Sequence, residues 1–257
     1  MIGVVGAHGK TGRAVVAALE ARGAQPLSLV RRVTGRPREV PVDLLSPSSV
    51  RAAVEGLAAV YHLAPNVHPD EELIGRTVVD AALAAGVARL VFHSVLHPQV
   101  SAMPHHRAKL RVEELVVESG LEWTVLQPAA YVQNFAARDG AVTVPYDLDA
   151  PFSLVDLADV AEAAAGTLLD PGHAFATYEL AGPRPVTVRE VAALLGAEAV
   201  RVDAQEWLAG RGLPAYAAEA LTAMFAHYDR HGLVGNPRVL AALLGRPPAD
   251  PAQVLTG

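Results

Sequence analysis

The chain has 257 residues, 51% of them hydrophobic and 19% charged, with a net charge of -6 and a mean hydropathy of +0.26. That material suits one large α/β domain, or one with a small appendage, and excludes a disordered chain. The acidic balance gives no general attraction for nucleic acid, and the absence of cysteine excludes disulfides, thiolate metal sites and a cysteine nucleophile.

Short β-rich runs alternate with helical spacing along most of the chain. Ile2–Val5 reads as a strand, Ala14–Arg22 as a helix with Val15, Val16 and Leu19 on one face, and Pro26–Val30 as a second strand. Val40–Val42 is a third strand, and Ser46 is a good N-cap for a helix over Pro47–Glu55. A fourth strand at Ala58–Leu63 and a helix at Asp70–Ala85 follow, then a fifth strand at Arg89–His93. A helix from about Pro104 to Ser119 precedes a sixth strand at Trp123–Gln127. Residues 129–154 read as irregular and aromatic-rich, Asp156–Leu169 as a helix, and Ala176–Leu180 as a seventh strand; short helices fill the rest. The expected fold class is α/β, a Rossmann-like doubly wound parallel sheet over residues 1–180 with a small, mostly helical C-terminal cap over 181–257. Apolar runs are broken by Arg, Glu or Gly well short of a membrane span, and the N-terminus opens without a basic n-region. A cytoplasmic protein is expected, with neither membrane nor nucleic acid as partner.

Gly6-Ala7-His8-Gly9-Lys10-Thr11-Gly12 ends the first strand and opens the first helix. Gly6 permits the tight turn, Gly9 lets backbone approach a pyrophosphate, and Gly12 lets helix pack on strand. The helix N-terminus offers unpaired N–H groups to the anion, with His8, Lys10 and Thr11 alongside. A P-loop would require glycine at position 4, and Val4 stands there. The second strand runs out into Arg31-Arg32 where an NAD-specific fold usually places a carboxylate, so NADP(H) is the expected cofactor, with NAD(H) as the alternative. Asp43, at the end of the third strand, is a candidate for the adenine edge, with a turn or capping role as its equal rival.

Further motifs carry a family resemblance. The glycine turn, Ala85-Gly86-Val87-x-Arg89-Leu90-Val91, Ser94 and His105-x-x-x-Lys109-x-x-x-Glu113 belong to it. So do Ser119-Gly120-Leu121-x-Trp123-Thr124-Val125-Leu126-Gln127-Pro128, Tyr131–Phe135, Leu180-Ala181-Gly182-Pro183 and Val186-Thr187-x-x-Glu190-Val191-Ala192. Together they resemble the NmrA-like proteins, atypical members of the short-chain dehydrogenase/reductase superfamily. The resemblance implies a Rossmann-like fold that binds NADPH or NADH, and a family holding both reductases and non-catalytic nucleotide sensors.

The superfamily uses a Ser and a Tyr-x-x-x-Lys pair, in which Tyr donates the proton and Lys holds the nicotinamide ribose. Ser94 stands at the usual place of the Ser, and Lys109 at that of the Lys, whereas His105 occupies the Tyr position. Lys10 and Lys109 are the only lysines among 21 basic side chains. Lys109 is expected to matter more than His105, since a neighbouring ammonium disfavours the imidazolium. Ala64, Pro65 and Asn66 are expected near the cofactor's ribose or nicotinamide, as are Pro128, Ala129 and Ala130. Tyr131, Asn134 and Phe135 are candidates for the substrate wall, with packing in the cap as the equal rival. No metal site is expected from His93, His97 and His106, which lack a carboxylate at ligand spacing.

The leading expectation is an NADPH-dependent oxidoreductase acting on a small apolar or aromatic carbonyl, quinone or conjugated acceptor. A non-catalytic redox sensor with a protein partner, and an epimerase or isomerase with bound cofactor, are the alternatives. A small-molecule substrate is the expected partner; a homo-oligomer is left open.

Overall fold

Apolar β-branched runs too short to make a helix, each followed by an amphipathic stretch, build a parallel sheet by repeated crossover. The computed structural model describes residues 1–256. Its elements are β1 (Ile2–Val5), α1 (Lys10–Ala21), β2 (Leu27–Val30), β3 (Glu39–Pro41), α2 (Pro47–Val54), β4 (Ala59–His62), α3 (Glu71–Ala84), β5 (Arg89–His93), α4 (Pro104–Val117) and β6 (Glu122–Pro128). There follow β7 (Ala141–Val144), α5 (Leu157–Leu169), β8 (Ala176–Leu180), α6 (Val188–Leu194), β9 (Glu198–Arg201), α7 (Ala204–Leu208), α8 (Ala215–His231), α9 (Arg238–Leu244) and α10 (Pro251–Thr256). Among the described residues no helix is long and apolar enough to cross a membrane.

The main sheet runs β3-β2-β1-β4-β5-β6-β8. All the pairs from β3 to β6 are parallel. Strand order reverses between β1 and β4, and such a reversal opens a crevice at the strands' carboxyl ends where ligands bind in this class of sheet. β4 is buried at every position, as expected of a strand covered on both faces. Val60, Leu90, Phe92 and Val125 of the sheet pack with Val54, Val78, Val112 and Val116 of α2, α3 and α4 in one core. Each such side chain contributes about 1.5–3 kcal/mol on burial.

The chain divides into two compact units. The first holds Met1–Ser94, Ala108–Gln127 and Val160–Tyr178, and the second Val95–Arg107, Pro128–Asp159 and Glu179–Gly257. The last crossing between the units falls between Tyr178 and Glu179, and two earlier segments also belong to the second unit. Within that unit β7 pairs with β9 in parallel, and Tyr146, Phe152, Phe225 and Tyr228 pack as an aromatic cluster. α6 begins in a capping box of Thr187 and Glu190. Asp159, 1% exposed, accepts from Arg246 Nη2 at 2.7 Å and Ala249 N at 2.7 Å, which ties the C-terminal segment to α5.

Candidate functional site

The glycine turn at the end of β1 separates three distinct demands. Gly6 has φ of +71°, and a Cβ there would stand 2.8 Å from the Leu63 carbonyl oxygen. A Cβ on Gly12 would collide with the Gly6 carbonyl oxygen and Ala7 backbone, so the turn folds onto α1 only without one. Gly9 is different. Its φ of -67° and ψ of 164° suit any residue, and a Cβ there would meet only the Gly6 oxygen, at 3.2 Å. The backbone conformation does not require glycine at 9, and a Cβ would fit if the Gly6 carbonyl gave way by a few tenths of an ångström; a side chain there would fill the approach to the start of α1. That start has no side-chain cap and no acidic residue in its first turn, which leaves its N–H dipoles for an anion. The turn fits a dinucleotide pyrophosphate.

On the adenosine side, Arg31 and Arg32 follow β2 and are exposed. A carboxylate absent from the end of β2 arrives from β3 instead. Glu39 accepts from Thr34 N at 2.5 Å, Thr34 Oγ1 at 2.8 Å, Gly35 N at 3.1 Å and Arg36 N at 3.3 Å. It also pairs with His8 Nε2 of the glycine turn at 2.6 Å. Burial would raise its pKa, but the bonds from Thr34 and His8 hold it down to about 2. Asp43 is exposed, and its Oδ1 accepts from Leu45 N at 3.0 Å, which is the turn role. Ala64 is buried in the loop after β4, while Pro65 and Asn66 are exposed.

Ser94 and Lys109 belong to a buried polar cluster of the first unit. Ser94 Oγ donates to Glu113 Oε1, and Gln127 Nε2 donates to both Glu113 oxygens, at 2.9 and 3.0 Å. Burial raises the Glu113 pKa against the bonds from Ser94 and Gln127 and the charge of Lys109. Lys109 Nζ lies 2.8 Å from Glu71 Oε1, donates to the His93 carbonyl at 3.3 Å and stands 5.2 Å over the Phe92 ring. Both partners of the Lys109–Glu71 pair are almost fully buried, with side-chain exposures of 5% and 0%. Tyr61 Oη bonds His93 Nδ1 at 2.5 Å, and His62 stacks on Phe92.

His62 and His93 are held neutral. Burial first, and the Lys109 ammonium second, push both imidazoles down to about 3. Between about pH 6.5 and pH 3 the unfolded chain therefore binds protons that the folded chain refuses. Stability is expected to fall as pH drops through that window, by up to ~1.4 kcal/mol per pH unit for each histidine. The two ring nitrogens of His62 have no hydrogen-bond partner among the described residues. His62→Leu should remove one histidine's share of the slope and raise stability at pH 7 by about 1 kcal/mol. Urea unfolding at pH 5 and pH 7 checks this, and an unchanged slope would count against it.

The second unit holds the remaining predicted residues. His105 is buried near the start of α4, the helix that carries Lys109 one turn on, and its ring meets His106 edge-on. Pro128 and Ala129 are buried, and Ala130 accepts from Val155 N at 3.0 Å. A 3-10 turn over Val132–Asn134 leaves Asn134 exposed, with Tyr131 and Phe135 partly exposed at its ends. Gln133 tethers this turn to the start of α5, through Asp156 Oδ1 at 2.5 Å and Leu157 N at 3.1 Å. Among the described residues no cluster could hold a metal ion.

Comparison with known proteins places the chain in a family. Residues 6–171 match the family model described as NAD(P)H-binding. An NAD(P)H azoreductase of Xenophilus azovorans is 28% identical over 96% of this chain and 94% of its own. The NADPH complex of an Escherichia coli NADPH-dependent quinone oxidoreductase superposes with a TM-score of 0.86 at 24% identity, covering 100% of this chain and 99% of that one. A Citrobacter sp. triphenylmethane reductase complexed with NADP(H) does so at 0.83 and 25% identity, over 98% of each chain. The chain belongs to the NAD(P)H-binding family.

Proposed function

We propose that the chain is an NADPH-dependent oxidoreductase whose acceptor is a quinone or a comparably conjugated, aromatic compound. The cofactor half rests on the glycine turn, the uncapped start of α1 and the exposed Arg31-Arg32 pair. When bound, the reduced dinucleotide supplies the hydride.

The acceptor half is supported by what Ser94 and Lys109 are doing. Ser94 donates to Glu113, and Lys109 is held by Glu71 and the His93 carbonyl, so neither stands ready to protonate an alkoxide. A simple ketone accepting hydride leaves such an alkoxide and needs an acid. A quinone leaves a phenolate-like oxygen, whose conjugate acid has a pKa near that of tyrosine, about 10, and water can protonate it. A triarylmethyl cation needs no proton at all. The named activities of the quinone oxidoreductase and triphenylmethane reductase relatives agree with this class. In this reading Lys109 positions the end of β5, His105 stands at the superfamily's proton-donor position, and Tyr131, Asn134 and Phe135 are the substrate-side residues of the second unit.

Substrate-dependent NADPH oxidation, screened over quinones, azo dyes and aromatic ketones, tests the proposal. Turnover is expected with the quinones; turnover confined to the ketones would reverse it. Arg31→Asp is expected to weaken NADPH binding roughly 10- to 100-fold, since a charge-assisted bond to the 2′-phosphate is worth about 1.5–3 kcal/mol. NADH binding should hold or improve. Titration of the variant with both cofactors checks this.

A further inference from the structure

The loop from Arg31 to Arg38 is exposed throughout, yet it folds around one buried point. The backbone N–H groups of Thr34, Gly35 and Arg36 converge on Glu39 Oε2, while Thr34 Oγ1 and His8 Nε2 meet Oε1. Successive N–H groups turned inward in this way form a nest, a concavity that binds anions. The chain's own carboxylate fills it, with its side chain 3% exposed. The same loop carries Arg31, Arg32, Arg36 and Arg38. Among the described residues none of these guanidinium groups is paired with a carboxylate. The loop carries four guanidinium groups against one buried carboxylate, and this surplus of positive charge lies on an acidic protein. His8 joins the nest to the glycine turn, which places it on the adenosine side of the cofactor.

We propose that Glu39 is an internal stand-in for a phosphoryl group. Its carboxylate holds the nest in the free protein, leaves for water when the 2′-phosphoryl group of NADPH enters, and stays to accept the ribose hydroxyls when the cofactor is NADH. The exchange keeps the nest's hydrogen bonds satisfied in both states, since three N–H groups, a hydroxyl and an imidazole suit a phosphoryl group as well as a carboxylate. Glu39 is thereby the specificity-determining residue of the adenosine side: it admits both cofactors and imposes a penalty on the phosphorylated one. This inference rests on the dinucleotide reading above.

The test uses cofactor fragments without a reacting ring. Adenosine 2′,5′-bisphosphate and adenosine 5′-phosphate are titrated calorimetrically into the unmodified protein, Glu39→Gln and Glu39→Ala. Glu39→Gln keeps the shape and removes the charge; Glu39→Ala empties the nest. Both variants are expected to bind the bisphosphate at least tenfold more tightly than the unmodified protein does, with 5′-phosphate affinity unchanged or lower. Equal or weaker bisphosphate binding by both variants would overturn the proposal and leave Glu39 as a clasp that only shapes the loop. If the unmodified protein and both variants bind neither fragment nor NADPH nor NADH, the dinucleotide reading itself fails.

Discussion

Lys109→Met is expected to lower the unfolding free energy by about 3–5 kcal/mol, because it leaves the Glu71 carboxylate buried with no cation. The loss is a large part of the 5–15 kcal/mol typical of a domain. It should appear in urea melts as a lower midpoint, and in assays as lost cofactor binding wherever the end of β5 has moved. The cause is electrostatic, so it has a compensating change. Glu71→Gln in the same chain removes the stranded charge, and the double variant should recover most of the stability. A superfamily lysine that only held a ribose would leave stability nearly untouched when replaced. Full stability in Lys109→Met would mean that the Lys109–Glu71 pair does not hold this part of the first unit together.

Gly9→Val should have the opposite profile: a folded protein that binds neither cofactor. The extended backbone at Gly9 suits valine, and the first added carbon meets only the Gly6 oxygen at 3.2 Å. Stability should therefore change by no more than about 1 kcal/mol. The valine branches, however, occupy the space before the first N–H groups of α1, where a pyrophosphate must approach. Affinity for NADPH and NADH should drop below detection in calorimetry. Gly12→Ala gives the contrast, since its methyl group collides with backbone of the turn and should destabilise the fold. Unchanged cofactor affinity in Gly9→Val would show that the turn does not face the dinucleotide.

Much of the first unit was legible because local signals and global fold agree there. Ser46 with Pro47 marks the start of α2, the glycines at 86 and 120 follow the ends of α3 and α4, and the apolar runs of β4 and β5 match buried strands. β7 and β9 were not legible. Each is four residues long, and each finds its partner only across a long stretch of chain, so no local pattern announces the pair. The acidic partners were hidden for the same reason. Ser94, Lys109 and Glu113 stood out by motif, whereas the pairing of Ser94 with Glu113 and the partner Glu71 became visible only where α3 and α4 brought these acids against those groups. Glu39 escaped notice because it opens β3, while the search for a ribose-side carboxylate looked to the end of β2.

Single-turnover decay of NADPH absorbance, with the protein in excess and either naphthoquinone or acetophenone as acceptor, tests the central claim most directly. With Ser94 and Lys109 committed to buried carboxylates, the account predicts rapid decay with the quinone and little or none with the ketone. Decay as fast with acetophenone would require a positioned acid and contradict it, as would a bound cofactor that neither acceptor oxidises.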